Sequence, residues 1–135
     1  MLKKFIIATL TLVAAMAPLA AQQMASPAQT PGLKRIPLQK FDIPAGERED
    51  VTTLNEIPPN TDVARHTHPG PEVDYLLDGS LTLTVGNESP KTFKAGDNVL
   101  IPENTPHAAR SGENGAKVLS TYIVEKGKPL ATPAP

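Results

Sequence analysis

The stretch Ala64–Gly79, "ARHTHPGPEVDYLLDG", decides how this chain is read. It holds two of the chain's three histidines, His66 and His68, one residue apart. If Ala64–His68 is extended, both imidazoles leave the same face, because strand side chains alternate with period two, and they can grip one ion together. Pro69, Gly70 and Pro71 then call for a turn, and Glu72 opens a second extended segment, "EVDYLL". That segment is expected to run back beside the first and bring its carboxylate to the same ion. His107, in "PENTPHAAR", completes a three-nitrogen, one-oxygen set provided that its strand is a neighbour. Such a set suits one divalent transition ion (Fe, Mn, Ni, Cu or Zn), and an octahedral field leaves two positions for water, substrate or dioxygen.

Taken singly, each residue has a plainer reading: His66 and His68 as surface groups near a turn, Glu72 as a solvated acid, His107 as a satisfied core histidine. The joint pattern is more specific. Every histidine of the chain falls into one spacing scheme, with an acid four residues after the second.

The surrounding chain reads as strands. "LTLTV" alternates Leu81, Leu83 and Val85 against Thr82 and Thr84, and "DVTTLNEI", "DNVLI" and "VLSTYIV" are β-branched runs of strand length. Pro, Gly and Asn interrupt the sequence too often for a long helix. "IPPNT" (57–61) and "IPENT" (101–105) form a weak echo in which Pro ends a strand and Asn takes a turn. One β-rich domain of 36–125 is expected, between a flexible segment at 22–35 and a flexible tail at 126–135.

The first residues are a separate object. "MLKK", an apolar run over 5–17 and a small-residue end give an export signal at 1–21, too short and wrongly flanked for a membrane span. Location in the periplasm or outside the cell follows, with no membrane association after cleavage. The chain has 13 Lys and Arg against 14 Asp and Glu, and loss of Lys3 and Lys4 makes it more acidic, which argues against a nucleic-acid partner. Small molecules are the expected partners. Zero cysteines exclude disulfides, thiolate ligands and a cysteine nucleophile.

These residues resemble the two motifs of the cupin superfamily. Asn60, His66, His68, Glu72 and Gly79 follow the spacing of the first motif; Gly96, Pro102, Asn104, His107 and Ser111 follow the second. Asn60 and Asn104 stand where the family has glycine, a mild change where a turn needs positive φ, and Ser111 stands in place of a terminal Asn. The resemblance implies an all-β double-stranded β-helix, a jelly-roll barrel, with a metal held by His66, His68, Glu72 and His107. It is similar to small quercetin-dioxygenase-like cupins, which implies a metal-dependent dioxygenase. The alternatives are a non-catalytic metal or small-ligand binder, and a sugar-acid isomerase or lyase using the ion as a Lewis acid.

No GKS/GKT phosphate loop, GxGxxG or GxSxG elbow occurs. Tyr75 and Arg110 are candidates for the pocket wall. Asp74 and Asp78 are candidates for proton transfer, but their alternation with Val73 and Leu77 reads as the solvent face of a strand, and Asp78-Gly79 reads as a tight turn. The apolar "VLSTYIV" reads as an edge strand that needs covering, which favours a homodimer.

Overall fold

The computed structural model describes residues 30–44 and 46–135. The export signal expected at 1–21, and the part of the 22–35 segment up to residue 29, lie outside the described residues. Eight strands follow one another: β1 (Lys34–Asp42), β2 (Arg48–Ile57), β3 (Asp62–Thr67), β4 (Glu72–Val85), β5 (Lys91–Lys94), β6 (Asn98–Ile101), β7 (His107–Glu125) and β8 (Thr132–Pro133). No helix occurs among the described residues. The fold is all-β, as the punctuation by Pro, Gly and Asn requires.

The two long strands create the barrel. The first part of β7, 107–111, lies between β3 and the second part of β4; its second part, 116–125, lies between β2 and the first part of β4. β4 in turn pairs with β6 through 72–75 and with β5 through 80–83. Each of β4 and β7 therefore passes from one sheet to the other. The layers are β1-β2-β7-β4-β6 and β8-β3-β7-β4-β5, the arrangement of a double-stranded β-helix.

The passage is made at glycines. Gly79 (φ 74°) and Gly115 (φ 76°) have left-handed backbones, and a Cβ on Gly79 would lie 2.1 Å from the Gly115 carbonyl oxygen. Asp78-Gly79 is therefore not a hairpin turn as expected, but a bulge inside β4 where register shifts on both sides. Alternation along the strands fills the space between the sheets with Ile57, Leu76, Leu81, Leu83, Phe93, Ile101, Ala116 and Val118. Burial of a side chain such as Leu76, which has no exposed surface, stabilises by about 2 kcal/mol.

The Pro-Gly-Pro segment does not fold β4 back beside β3. It carries the chain across β7, so that β3 and β4 flank that strand. The carbonyls of Pro69 and Pro71 accept from the amides of Glu125 and Ile123, and a Cβ on Gly70 would lie 1.9 Å from the Ile123 oxygen. Only glycine fits that close approach. "VLSTYIV", in β7, is likewise not at an edge: β2 and β4 cover it on both sides.

Both ends of the barrel reach further than the 36–125 boundary. Lys34 and Arg35 already pair with Glu56 and Asn55, and β8 pairs with β3 at His66 and Thr67.

Candidate metal centre

Three imidazoles converge inside the barrel. His66 on β3 stands opposite His107 on β7 in the strand register, and their rings are 4.2 Å apart between centroids. His68 follows the end of β3, and its backbone carbonyl accepts from the Asn104 amide at 3.0 Å. The two asparagines read as glycine substitutes do take left-handed backbones, φ 52° at Asn60 and 55° at Asn104. The Asn104 turn sends the chain from β6 into His107 while bonding His68. Ser111 closes the equivalent turn at Asn60: its Oγ donates to the Pro58 carbonyl and accepts from the Thr61 amide at 2.9 Å.

Each imidazole is oriented through its Nδ1. His66 Nδ1 faces the Ala64 carbonyl at 2.7 Å, His68 Nδ1 the Leu130 carbonyl at 2.5 Å, and His107 Nδ1 the Thr105 carbonyl at 2.9 Å. A carbonyl only accepts, so each Nδ1 carries the proton and each Nε2 presents a lone pair. Those lone pairs meet: His66 Nε2 and His68 Nε2 are 3.1 Å apart. Glu72 Oε2 lies 3.0 Å from His68 Nε2 and 3.3 Å from His107 Nε2, yet this buried oxygen has no hydrogen-bond donor. Acceptors packed against acceptors repel unless a cation sits among them. Donors about 2.1 Å from one ion lie roughly 3.0–3.4 Å apart for right-angle to tetrahedral geometry, so the spacing fits a transition ion.

The electrostatics agree. Burial is the main cause that brings the His66 pKa down to about 4, which keeps the ring neutral and able to ligate. Burial raises the Glu72 carboxyl, and His107 and His68 would hold it below the usual carboxylate range only by donating to it; with their Nε2 atoms unprotonated, a cation is what keeps this carboxylate ionised. His66, His68 and His107 thus form a group able to hold a metal ion, with Glu72 against two of them.

The site opens into a cavity of about 50 Å³ lined by His66, Glu72, Asp74, His107, Ser120 and Tyr122, and farther along by Asn55 and Arg35. Asp74 is 4% exposed, which corrects its reading as a solvent-facing residue: Glu72, Asp74 and Leu76 share the inner face of β4, and Val73, Tyr75 and Leu77 the outer. Asp78 is exposed beyond the bulge. Burial, then the Glu72 charge, push the Asp74 carboxyl well above its ordinary range. Ser120 Oγ donates to Asp74 Oδ1 and accepts from Asn55 Nδ2 at 2.9 Å. Tyr122 is buried with its ring 4.8 Å from that of His68, and burial followed by the Glu72 charge raises its phenol pKa.

Neither proposed wall residue reaches this cavity. Tyr75 is on the outer face of β4, 45% exposed, and Arg110 is an exposed partner of Asp62 at 2.7 Å. Their places are taken by Asp74, which the sequence reading weighed for proton transfer but put on the solvent face, and by Ser120, Tyr122, Asn55 and Arg35, which it did not select. Period two did carry a signal for Ser120 and Tyr122, because Val118, Ser120, Tyr122 and Val124 fall on one face of "VLSTYIV".

A jelly-roll barrel with three histidines converging between its sheets defines the class: a double-stranded β-helix with a candidate metal centre. A family profile described as Cupin domain matches residues 53–127, more than half of the chain, and the chain belongs to that family. The H2HPP isomerase of Bacillus subtilis is 33% identical over 70 residues, which make up 52% of this chain and 29% of the isomerase. The chain thus spans under a third of that relative's length. Among solved structures, an uncharacterized conserved protein with a double-stranded β-helix domain from Klebsiella pneumoniae superposes with a TM-score of 0.62 at 16% identity, over 81% of this chain and 90% of the other. The DMSP lyase DddQ of Ruegeria pomeroyi gives 0.59 at 20% identity, over 63% of this chain and 43% of its own. At those identities the two structures share the fold.

Proposed function

We propose that this is an exported cupin enzyme, with 1–21 as its signal, that binds one divalent transition ion through His66, His68, Glu72 and His107 and isomerises or cleaves a small polar molecule. The observation that carries the metal is Glu72 Oε2, a buried oxygen with no donor that faces two Nε2 lone pairs. When bound, the ion supplies Lewis-acid polarisation of a substrate oxygen. The chain's own contribution is Asp74, inside the cavity and aligned by Ser120, as the proton-carrying group that an isomerisation or elimination needs. Val118, Leu81 and Ile101 close the cavity against bulk water on its apolar side. The names of two similar proteins, an isomerase and a lyase, support this class.

The oxygenase reading uses the same donor set and comes second. A cavity of about 50 Å³ holds a few waters or a ligand of a few heavy atoms, far less than the rings of a flavonol.

The test starts from protein purified from its native compartment, with its metal content measured and its amino terminus sequenced. Short hydroxy and keto compounds are then followed by NMR in heavy water beside an oxygen electrode. Product formation or proton exchange without oxygen uptake, lost in Asp74→Asn, is the expected outcome. Oxygen uptake in step with substrate loss would move the protein to the oxygenases. An inert panel with full metal occupancy would make it a binder.

A further inference from the structure

We propose that Arg35 is the anion-binding residue of the cavity and that the molecule bound there carries a carboxylate. This rests on the function proposed above and narrows its substrate class. Among the described residues Arg35 is the one Arg or Lys that lines the cavity; the other ionisable lining groups are His66, Glu72, Asp74, His107 and Tyr122. β1 places it at the rim: Arg35 is solvent-exposed, stands opposite Asn55 in the β1–β2 register, and its Nε donates to Asn55 Oδ1 at 3.3 Å.

The rest of the guanidinium is uncommitted. Arg48 is paired with Glu103 at 2.8 Å and Arg110 with Asp62 at 2.7 Å, whereas Arg35 has no carboxylate within ion-pair distance and no acceptor on its Nη atoms among the described residues. A guanidinium offers two parallel N–H groups in a planar fork, which matches a carboxylate better than any other side chain does.

Arg35 is also connected to the metal centre by a continuous polar path. Asn55 accepts from Arg35, donates to Ser120, and Ser120 donates to Asp74, two residues along the inner face of β4 from Glu72. Leu33, Ile57 and Val118 line the same space. The cavity lining therefore combines a guanidinium, a metal-ligand cluster and apolar side chains, with room for a few heavy atoms. A short carbon chain bearing a carboxylate and a hydroxyl or carbonyl oxygen matches the two polar groups of this lining. A dication balanced by one Glu72 charge leaves the site net positive, which adds to the attraction for an anion.

The experiment compares acids with their uncharged twins. Lactate and 3-hydroxypropanoate, beside lactamide and 3-hydroxypropanamide, are titrated into zinc-loaded protein and followed by saturation-transfer NMR. Wild-type protein is expected to bind the acids in preference to the amides. Arg35→Gln should weaken the acids at least tenfold, leave the amides unchanged and keep zinc content and melting temperature at wild-type values. Arg35→Lys should restore part of the loss. Equal binding of acid and amide, no binding of either acid, or wild-type affinity in Arg35→Gln would overturn the proposal. If the protein takes up no zinc, the metal assignment fails by that measurement alone, and the same acid and amide comparison on metal-free protein still decides the role of Arg35.

Discussion

Asp74 and Tyr75 are adjacent, and the structure gives them opposite situations to those the sequence suggested. A carboxylate beside apolar residues reads as a wet face and a tyrosine near histidines as a pocket wall. Yet once Glu72 points inward, period two sends Asp74 inward and Tyr75 out. The cost of burying Asp74 is a pH dependence. Its folded pKa is raised from an ordinary 3.8, so the Asp74 contribution to stability is greatest in acid and is lost as pH climbs from there through the folded value. Asp74→Asn removes that loss, and thermal melts of metal-free protein should show a higher melting temperature at about pH 7 and a flatter decline above about pH 4. Replacement of His66, His68 or His107 by Ala should each reduce bound metal sharply, with Glu72→Gln milder, as measured by metal analysis after dialysis. Full occupancy in His107→Ala would remove the assignment of that residue. The convergence of His66, His68, Glu72 and His107 was legible because it joins rare residues at fixed spacing. Arg35 and Asn55 were not, since an arginine and an asparagine on strands carry no periodic signature and gain their role only from the β1–β2 register.

Register is what the elements add. The sequence marked most strand segments, because alternation and proline are local signals, but it did not say which strand lies beside which. Pro69-Gly70-Pro71 looked like a reversal and is a crossing over β7; Asp78-Gly79 looked like a hairpin and is the crease of β4. Both differences come from close backbone approach, which a sequence does not display. At Gly79→Ala the new Cβ meets the Gly115 carbonyl on a left-handed backbone, so a loss of about 2–4 kcal/mol is expected by urea unfolding. The C-terminal residues matter in the same way. Leu130 supplies the carbonyl that fixes His68, and the Ala134 amide donates to the Arg65 carbonyl beside His66. Removal of 129–135 should weaken metal affinity about tenfold or more, read by competition with a chromogenic chelator, while the circular dichroism of the barrel stays unchanged. Undiminished affinity would show that the tail does not orient the ligand.

At the scale of the whole molecule, the question is what covers β1. The reason first found for a homodimer, an exposed edge at "VLSTYIV", is gone, since β7 is the most enclosed strand of the sheet. β1 now supplies a better one. It pairs with β2 alone, all nine of its residues are exposed, and Ile36, Leu38 and Phe41 keep 39%, 54% and 52% of their surface open. Ordering a strand whose side chains stay largely exposed costs backbone entropy with little return. Pro37 lacks an amide and breaks the register, which opposes extension of the sheet by another strand and favours packing of side chains against a second copy. A homodimer through the faces of β1 is therefore expected, and it would also steady Arg35 at the cavity. Light scattering at micromolar concentration should give twice the chain mass for the wild type and the single mass for Leu38→Asp with Phe41→Asp, without loss of bound metal. A wild-type monomer would reject the dimer and leave the barrel and its histidines as they are; a dimer that survives both substitutions would place the interface elsewhere.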